Sequence, residues 1–283
     1  MIFSHAFRKF NMCGVVAVIS IGIPAMGYAQ TIRSEVLQVS DPRPLAAAAD
    51  LLERKYAVAI NYEDPLYVFA GDLVDQTNPS YRLAHPDKRA IVPKGGALTW
   101  RVDVDTRAQT LADPMAMLQS LVGIHAASGN PGEFTVKRIG SAYVIVPARA
   151  KNESGTVVAR SSPLDVSISF PEQRISGIDA VKLICQTVSQ PGAIKVTMGV
   201  VPYNLLQKKT VLLGANNETA RNVLARALDG LKWANPHIVA PDAKLGWRLF
   251  YGADIQAYAL NIHPVIADVP NPFGGTVRRP VLQ

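Results

Sequence analysis

Residues 34–147 and 164–263 run through the same succession of strand-like and helix-like segments, one stretch behind the other. A tandem repeat constrains the fold strongly, because it fixes the number of units and the order of elements within each.

The first copy opens with a strand candidate, Val36-Leu37-Gln38-Val39. Asp41-Pro42 then supplies a cap and a proline suited to a first helical turn. Leu45, Ala48, Ala49, Leu52 and Tyr56 recur at three-and-four spacing, which predicts a helix over 43–55. Val58, Ile60 and Tyr62 alternate and predict a strand. A further strand spans 98–104, and Asp113-Pro114 starts a second helix bearing Met115, Leu118, Leu121 and Val122. Segments 134–138 and 142–146 close the copy as a hairpin around Ile139-Gly140-Ser141.

The second copy repeats this order. Leu164, Val166, Ile168 and Phe170 alternate with polar residues, a strand signal. Ser176 and Asp179 form a capping-box-like pair ahead of a helix carrying Ile178, Val181, Ile184, Cys185 and Val188. Strands follow at Ile194–Met198 and Thr210–Leu213, and Asn217 is read as the cap of a helix bearing Ala220, Val223, Leu224, Ala227, Leu228 and Leu231. A hairpin from Leu245 to Ile262, turning at Gly252-Ala253-Asp254, ends the copy.

Between Tyr62 and Leu98 the first copy is longer by about 27 residues. This insertion, near 63–97, holds Pro65, Tyr67, Phe69, Tyr81 and Pro86, too apolar for a bare linker, and reads as an ordered excursion. The expected organisation is a first module over 30–148, a linker over 149–163, a second module over 164–265 and a flexible tail over 266–283. The expected fold class is α+β: two small split βαβ-type modules, each a mixed sheet with two helices on one face.

Residues 1–29 have the three parts of an export signal. Arg8 and Lys9 precede a small and apolar run from Cys13, which exits through Gly27-Tyr28-Ala29. We expect cleavage there, since Gly14, Gly22, Pro24 and Gly27 interrupt a run near the lower length limit for a membrane span. The chain is therefore expected to be exported, periplasmic or secreted, with no transmembrane segment once the signal is removed. The formal charge falls from +7 to about +5, 27 basic residues against 22 acidic, with no basic run longer than two. That distribution argues against a nucleic-acid partner.

Each copy resembles the short N-terminal module of secretins and of signalling TonB-dependent receptors. The pattern is carried by Pro44-Leu45-x-x-Ala48-x-x-x-Leu52, Val58-x-Ile60-x-Tyr62 and Met117-Leu118-x-x-Leu121-x-Gly123-Ile124. In the second copy it is Ile178-x-x-Val181, Ile194-x-Val196 and Val223-Leu224-x-x-x-Leu228-x-Gly230-Leu231. The resemblance implies a periplasmic module that contacts partner proteins. It departs from the family in having no segment long enough for a barrel or pore.

Chemistry is sparse in the sequence. His85, His125, His237 and His263 lack metal spacing, and Cys185 is the one cysteine beyond the signal and falls on an apolar helix face. Asp103 and Asp105 alternate on one strand and read as a solvated edge. Asn152-Glu153-Ser154 and Asn217-Glu218-Thr219 match a glycosylation acceptor. No catalytic residue, cofactor or metal site is assigned. The pairs Trp100-Arg101 and Trp247-Arg248, one per copy, are the candidate partner-binding residues, against the plainer reading that each Trp closes its own core. The expected function is a non-enzymatic envelope protein whose tandem modules bind an envelope or periplasmic partner. The alternatives are an oligomerising structural subunit of a secretion or envelope apparatus, or an exported enzyme of unrecognised type.

Overall fold

The computed structural model describes residues 32–189, 194–233 and 242–282. The proposed export signal lies outside these residues. The chain is α+β. In the first copy the elements are β1 (Ile32–Ser40), α1 (Pro44–Tyr56), β2 (Ile60–Glu63), β3 (Leu73–Asp75), α2 (Pro79–Ala84), β4 (Ile91–Pro93), β5 (Ala97–Asp105), β6 (Thr110–Leu111), α3 (Pro114–Ala127), β7 (Glu133–Ile139) and β8 (Ala142–Lys151). The linker supplies β9 (Val157–Ala159). The second copy has β10 (Ser167–Ser176), α4 (Gly177–Val188), β11 (Lys195–Met198), α5 (Tyr203–Lys208), β12 (Lys209–Thr219), α6 (Ala220–Asp229), β13 (Lys232–Trp233), β14 (Leu245–Gly252) and β15 (Ala257–Pro264). A last pair, β16 (Ile266–Pro270) and β17 (Thr276–Pro280), ends the described chain.

The expected helices form, but α1 starts differently from expectation. Asp41 accepts from the Arg43 N–H at 2.7 Å in a turn ahead of the helix. Pro42 lies outside it, and Arg43 at the N-cap position makes no side-chain cap. Pro44 stands at the first helical position of α1, where a missing N–H costs nothing, and Ala57 ends the helix in the left-handed conformation at φ 56°. Asp113 caps α3 through the Ala116 N–H, and Ser176 caps α4 through the Asp179 N–H. A second cap, at α6, also differs from expectation. Thr219, not Asn217, caps α6 by accepting from the Asn222 N–H, while Asn217 sits within β12 at φ 50°.

Within each copy the strands divide between two sheets rather than one. β1 and β5 pair antiparallel in unbroken register from Ile32↔Asp105 to Ser40↔Ala97, and β6 adds a short edge. β10, β12 and β13 make the corresponding sheet of the second copy, broken by two register shifts in β10 around Phe170. Apart from the two-stranded pairs β3–β4 and β16–β17, the remaining strands merge into one central sheet in the order β11-β15-β14-β2-β8-β7, with β9 on β8. β14 of the second copy runs parallel to β2 of the first, pairing Arg248 with Tyr62 and Leu249 with Glu63. The two copies therefore share a sheet instead of standing in series.

Side-chain alternation places the two sets of helices on opposite faces of that sheet. Ile145 of β8 belongs to the core beneath α1 and α3, with Leu45, Leu52, Leu118 and Leu121. Its neighbours Val144 and Val146 belong to the other core, with Val181, Ile184, Leu224 and Leu228 of α4 and α6. In β14, Trp247, Leu249 and Tyr251 join the second core while Phe250 packs on the first. The layers run from the β1–β5 sheet through α1 and α3, the central sheet, and α4 and α6, to the β10–β12 sheet. A strand buried on both faces carries no alternating pattern, and β8 and β14 are buried in that way.

The insertion is ordered: β3 and β4 pair antiparallel, and Asn78 caps the short α2 between them. Tyr67 buries its ring in the second core and donates its hydroxyl to the Pro131 carbonyl at 3.4 Å. The tail, expected to be loose, is the hairpin β16–β17, and β16 lies on α1. Its turn uses Gly274 and Gly275 at positive φ, and buried Val265 and Ala267 anchor its base.

Candidate functional site

The seam between β2 and β14 is polar and buried. Glu63, the last residue of β2, accepts both arms of the Arg221 guanidinium from α6 at 2.8 and 2.7 Å. Its Oε1 also accepts from the Trp247 indole at 3.2 Å, and Arg221 further pairs with Asp165. Next along the chain, Asp64 accepts from Arg43 Nε at 2.7 Å, from the Tyr62 hydroxyl at 2.8 Å and from the Tyr251 N–H at 2.9 Å. Arg43 also donates to the Tyr251 carbonyl at 2.8 Å and lies over the Phe250 ring. Beyond the β2 strand, Arg248 of β14 pairs with Asp50 at 2.7 Å and Glu53 at 3.0 Å, both on α1. His263 stands 3.1 Å from the same Glu53 oxygen. The Asn61 side chain caps the Trp247 N–H at 2.8 Å.

Every carboxylate in this seam faces a guanidinium of the other copy or a group that bridges to it. Burial pushes the Glu53 carboxyl up, but Arg248 and His263 outweigh it and hold it below its ordinary value. Burial dominates at Asp64 and lifts its carboxyl above the ordinary value against the pull of Arg43. For Arg221, burial works against the charge, but Glu63 and Asp165 outweigh it and raise its pKa. Removing one partner from such a pair leaves a buried charge uncompensated, whereas the intact pair contributes little net stability. By that reasoning, pairing the copies so that these charges are mismatched costs more than the matched pairs add.

The candidate partner-binding residues fall on both sides of the surface. Trp100 is 3% exposed, Trp247 2% and Arg248 5%, so these three are not available to a partner; Arg101 is exposed. Trp100 closes the first core, Trp247 the second, and Arg248 belongs to the seam. Asp103 accepts from Ser34 at 2.5 Å and Asp105 accepts from the Arg107 and Ala108 N–H groups, so both serve local structure. Cys185 is buried, and burial pushes its thiol up to about 12. Asn152 closes the β8–β9 turn by accepting from the Ser154 and Thr156 N–H groups. The His85 ring packs against Tyr81 at a 44° tilt, and His237 lies outside the described residues. Among the described residues no three His, Cys, Asp or Glu side chains are grouped to hold a metal, and no helix is long and apolar enough to cross a membrane.

His125, near the end of α3, is 2% exposed, meets the Phe134 ring edge-on at 5.2 Å, and has a buried Nδ1 without a partner. Burial drops its pKa from 6.5 to about 4. The unfolded chain therefore takes up this proton as pH falls below 6.5, while the folded chain resists until about 4. Stability that His125 leaves intact at neutral pH is lost across that window, amounting to about 3 kcal/mol at its acid end. Urea titrations of the wild type and His125→Leu at pH 7 and pH 4 should differ in their acid loss by about that amount. Equal losses in the two proteins would show that the imidazole is hydrated in the folded state.

Sheet edges form the other distinctive surface. β1 and β10 each end a sheet, and no described strand pairs with their outer sides. β10 carries Pro171 and the two register shifts, which disturb an edge. β1 is regular over nine pairs, and Ile32 and Val36 on its outward face are 51% and 48% exposed. On its inner face Glu35 is buried and bound by Lys55, Arg33 and Tyr56, which fixes the strand on its core.

No protein-family model, curated protein or solved structure matches the chain.

Proposed function

We propose that this chain is an exported, non-enzymatic envelope protein, periplasmic or secreted, that binds other proteins by accepting a strand at the outer edge of β1. The open, nine-residue, unbroken edge of β1, with Ile32 and Val36 exposed beside it, is the observation that carries this reading. An edge of this kind presents unpaired N–H and C=O groups at regular spacing, and an added strand gains main-chain hydrogen bonds plus side-chain pockets. Export rests on the charged start, apolar run and small-residue exit of residues 1–29. The resemblance to the secretin and receptor module agrees in kind, since such modules meet periplasmic partners.

Affinity capture from an envelope extract with wild type and Val36→Lys tests the proposal. A charge on the outer face of an edge strand blocks strand addition without touching the core. We expect a partner held by the wild type to fall about ten-fold or more on the variant, with both proteins melting alike. Equal capture by both proteins removes strand addition at β1. A wild type that holds nothing removes the protein-binding reading.

A further inference from the structure

The surface around the β8–β9 turn contains a cation that the fold leaves unanswered. A depression of about 440 Å³ lies between the start of the insertion and this turn, lined by Leu66, Val68, Asn152, Glu153, Ser154 and Arg160. The Arg160 backbone is fixed beside β8, where its N–H donates to the Ala148 carbonyl at 2.9 Å. Its side chain makes no hydrogen bond or ion pair among the described residues, and its Nε is buried without an acceptor. Asn152 Oδ1 is consumed by the turn, accepting from Ser154 N, Ser154 Oγ and Thr156 N, while its Nδ2 has no acceptor among the described residues. Leu66 and Val68 give the opposite wall an aliphatic character.

Buried donors without acceptors are rare, and each calls for an explanation. A smaller cavity nearby, of about 160 Å³, shows the contrast. There Lys151 is held by Asp72 at 2.7 Å and Arg149 lies 3.5 Å from Glu133, so its charges are already matched. At Arg160 one buried donor, Nε, has no acceptor, and the rest of the guanidinium is partly exposed beside the partly exposed Asn152 amide, against an aliphatic wall.

We propose that this depression binds a monocarboxylate with an aliphatic stem: the carboxylate on Arg160 and the Asn152 amide, the stem on Leu66 and Val68. One guanidinium matches one carboxylate in charge and in fork geometry. A phosphate dianion would ask for more positive charge than the lining supplies, with Glu153 beside it. The same chemistry is presented by a free aliphatic acid and by the C-terminal residue of a polypeptide. The site lies away from the β1 edge and does not depend on strand addition there.

The test is a titration of the full-length chain, followed by ¹⁵N–¹H correlation spectra. The probes are hexanoate and N-acetyl-valyl-leucine with a free carboxyl terminus; the controls are hexanamide and the same dipeptide as its C-terminal amide. We expect saturable shifts at residues 66–68 and 152–160 with a carboxylate and not with its amide. Arg160→Gln should weaken binding about ten-fold or more, the scale of one charged hydrogen-bond partner. Arg160→Lys should keep part of the affinity, and Glu153→Gln, which removes the nearby carboxylate, should tighten it. Tighter binding of hexanoate identifies a free acid as the ligand, and tighter binding of the dipeptide a chain terminus. Equal shifts with carboxylate and amide, no saturable shift with either carboxylate, or unchanged affinity in Arg160→Gln would overturn the assignment. If Arg160→Gln does not fold, affinity that falls rather than rises in Glu153→Gln overturns it instead.

Discussion

Arg221→Met should lower the stability of the folded chain by about 3–5 kcal/mol at neutral pH, read as a shift of the urea midpoint at constant slope. The substitution removes the bidentate partner of Glu63, a carboxylate with no exposed surface, and leaves it only the indole N–H of Trp247. The loss comes from that stranded charge, not from the value of the ion pair itself. Arg221→Met combined with Glu63→Gln should therefore recover much of it, because the second change removes the charge and keeps the shape. A loss below about 1 kcal/mol in the single variant would place Glu63 in contact with water and end the account of the seam as a desolvated contact.

Trp247→Ala should cost about 3–5 kcal/mol, while Arg101→Ala should stay within about 0.5 kcal/mol of the wild type. Trp247 is among the largest fully buried side chains, packs with Leu249 and Leu260, and donates to Glu63. Arg101 projects from the open face of β5. Thermal or urea unfolding of both variants decides the matter. A small loss for Trp247→Ala would mean that its ring is on the surface and available to a partner after all.

The local grammar of this chain is legible without coordinates. Leu45, Ala48, Ala49 and Leu52 mark one face of α1, and all four are buried. Ser176 announces the start of α4, and the two closing hairpins follow their turn residues. What escapes is pairing across the repeat. β14 and β2 meet through two residue pairs separated by some 186 positions, and nothing local encodes that contact. The seam escapes for a related reason. Glu53, Glu63 and Arg248 look like the solvated charges of a helix or strand, since a charge and its buried partner lie far apart in sequence. One signal was present. Arg248 stands within Trp247-Arg248-Leu249-Phe250-Tyr251, a run too apolar for a half-exposed strand, and a charge inside a fully buried strand has to be paired. Of the two Trp-Arg pairs, only Trp247-Arg248 meets the other half of the molecule; Trp100 lies within the first core and Arg101 on the open face of β5.

The shared sheet also has two outer strands, β7 and β11, and they correspond to β14 and β2, the two that meet in its middle. By the register of the hairpins, Thr135 stands where Arg248 stands, and Thr197, Gly199 and Val200 stand where Asn61, Glu63 and Asp64 stand. These four positions carry no charge, unlike Arg248, Glu63 and Asp64 in the seam. The Ser189 hydroxyl also occupies the N–H and C=O of Val196 on the rim of β11, at 2.7 and 2.9 Å. A head-to-tail contact made once could be made again by the next molecule, growing a filament. Here the outer strands lack the charges that join β2 to β14, so a further copy added at either would have to pair without them.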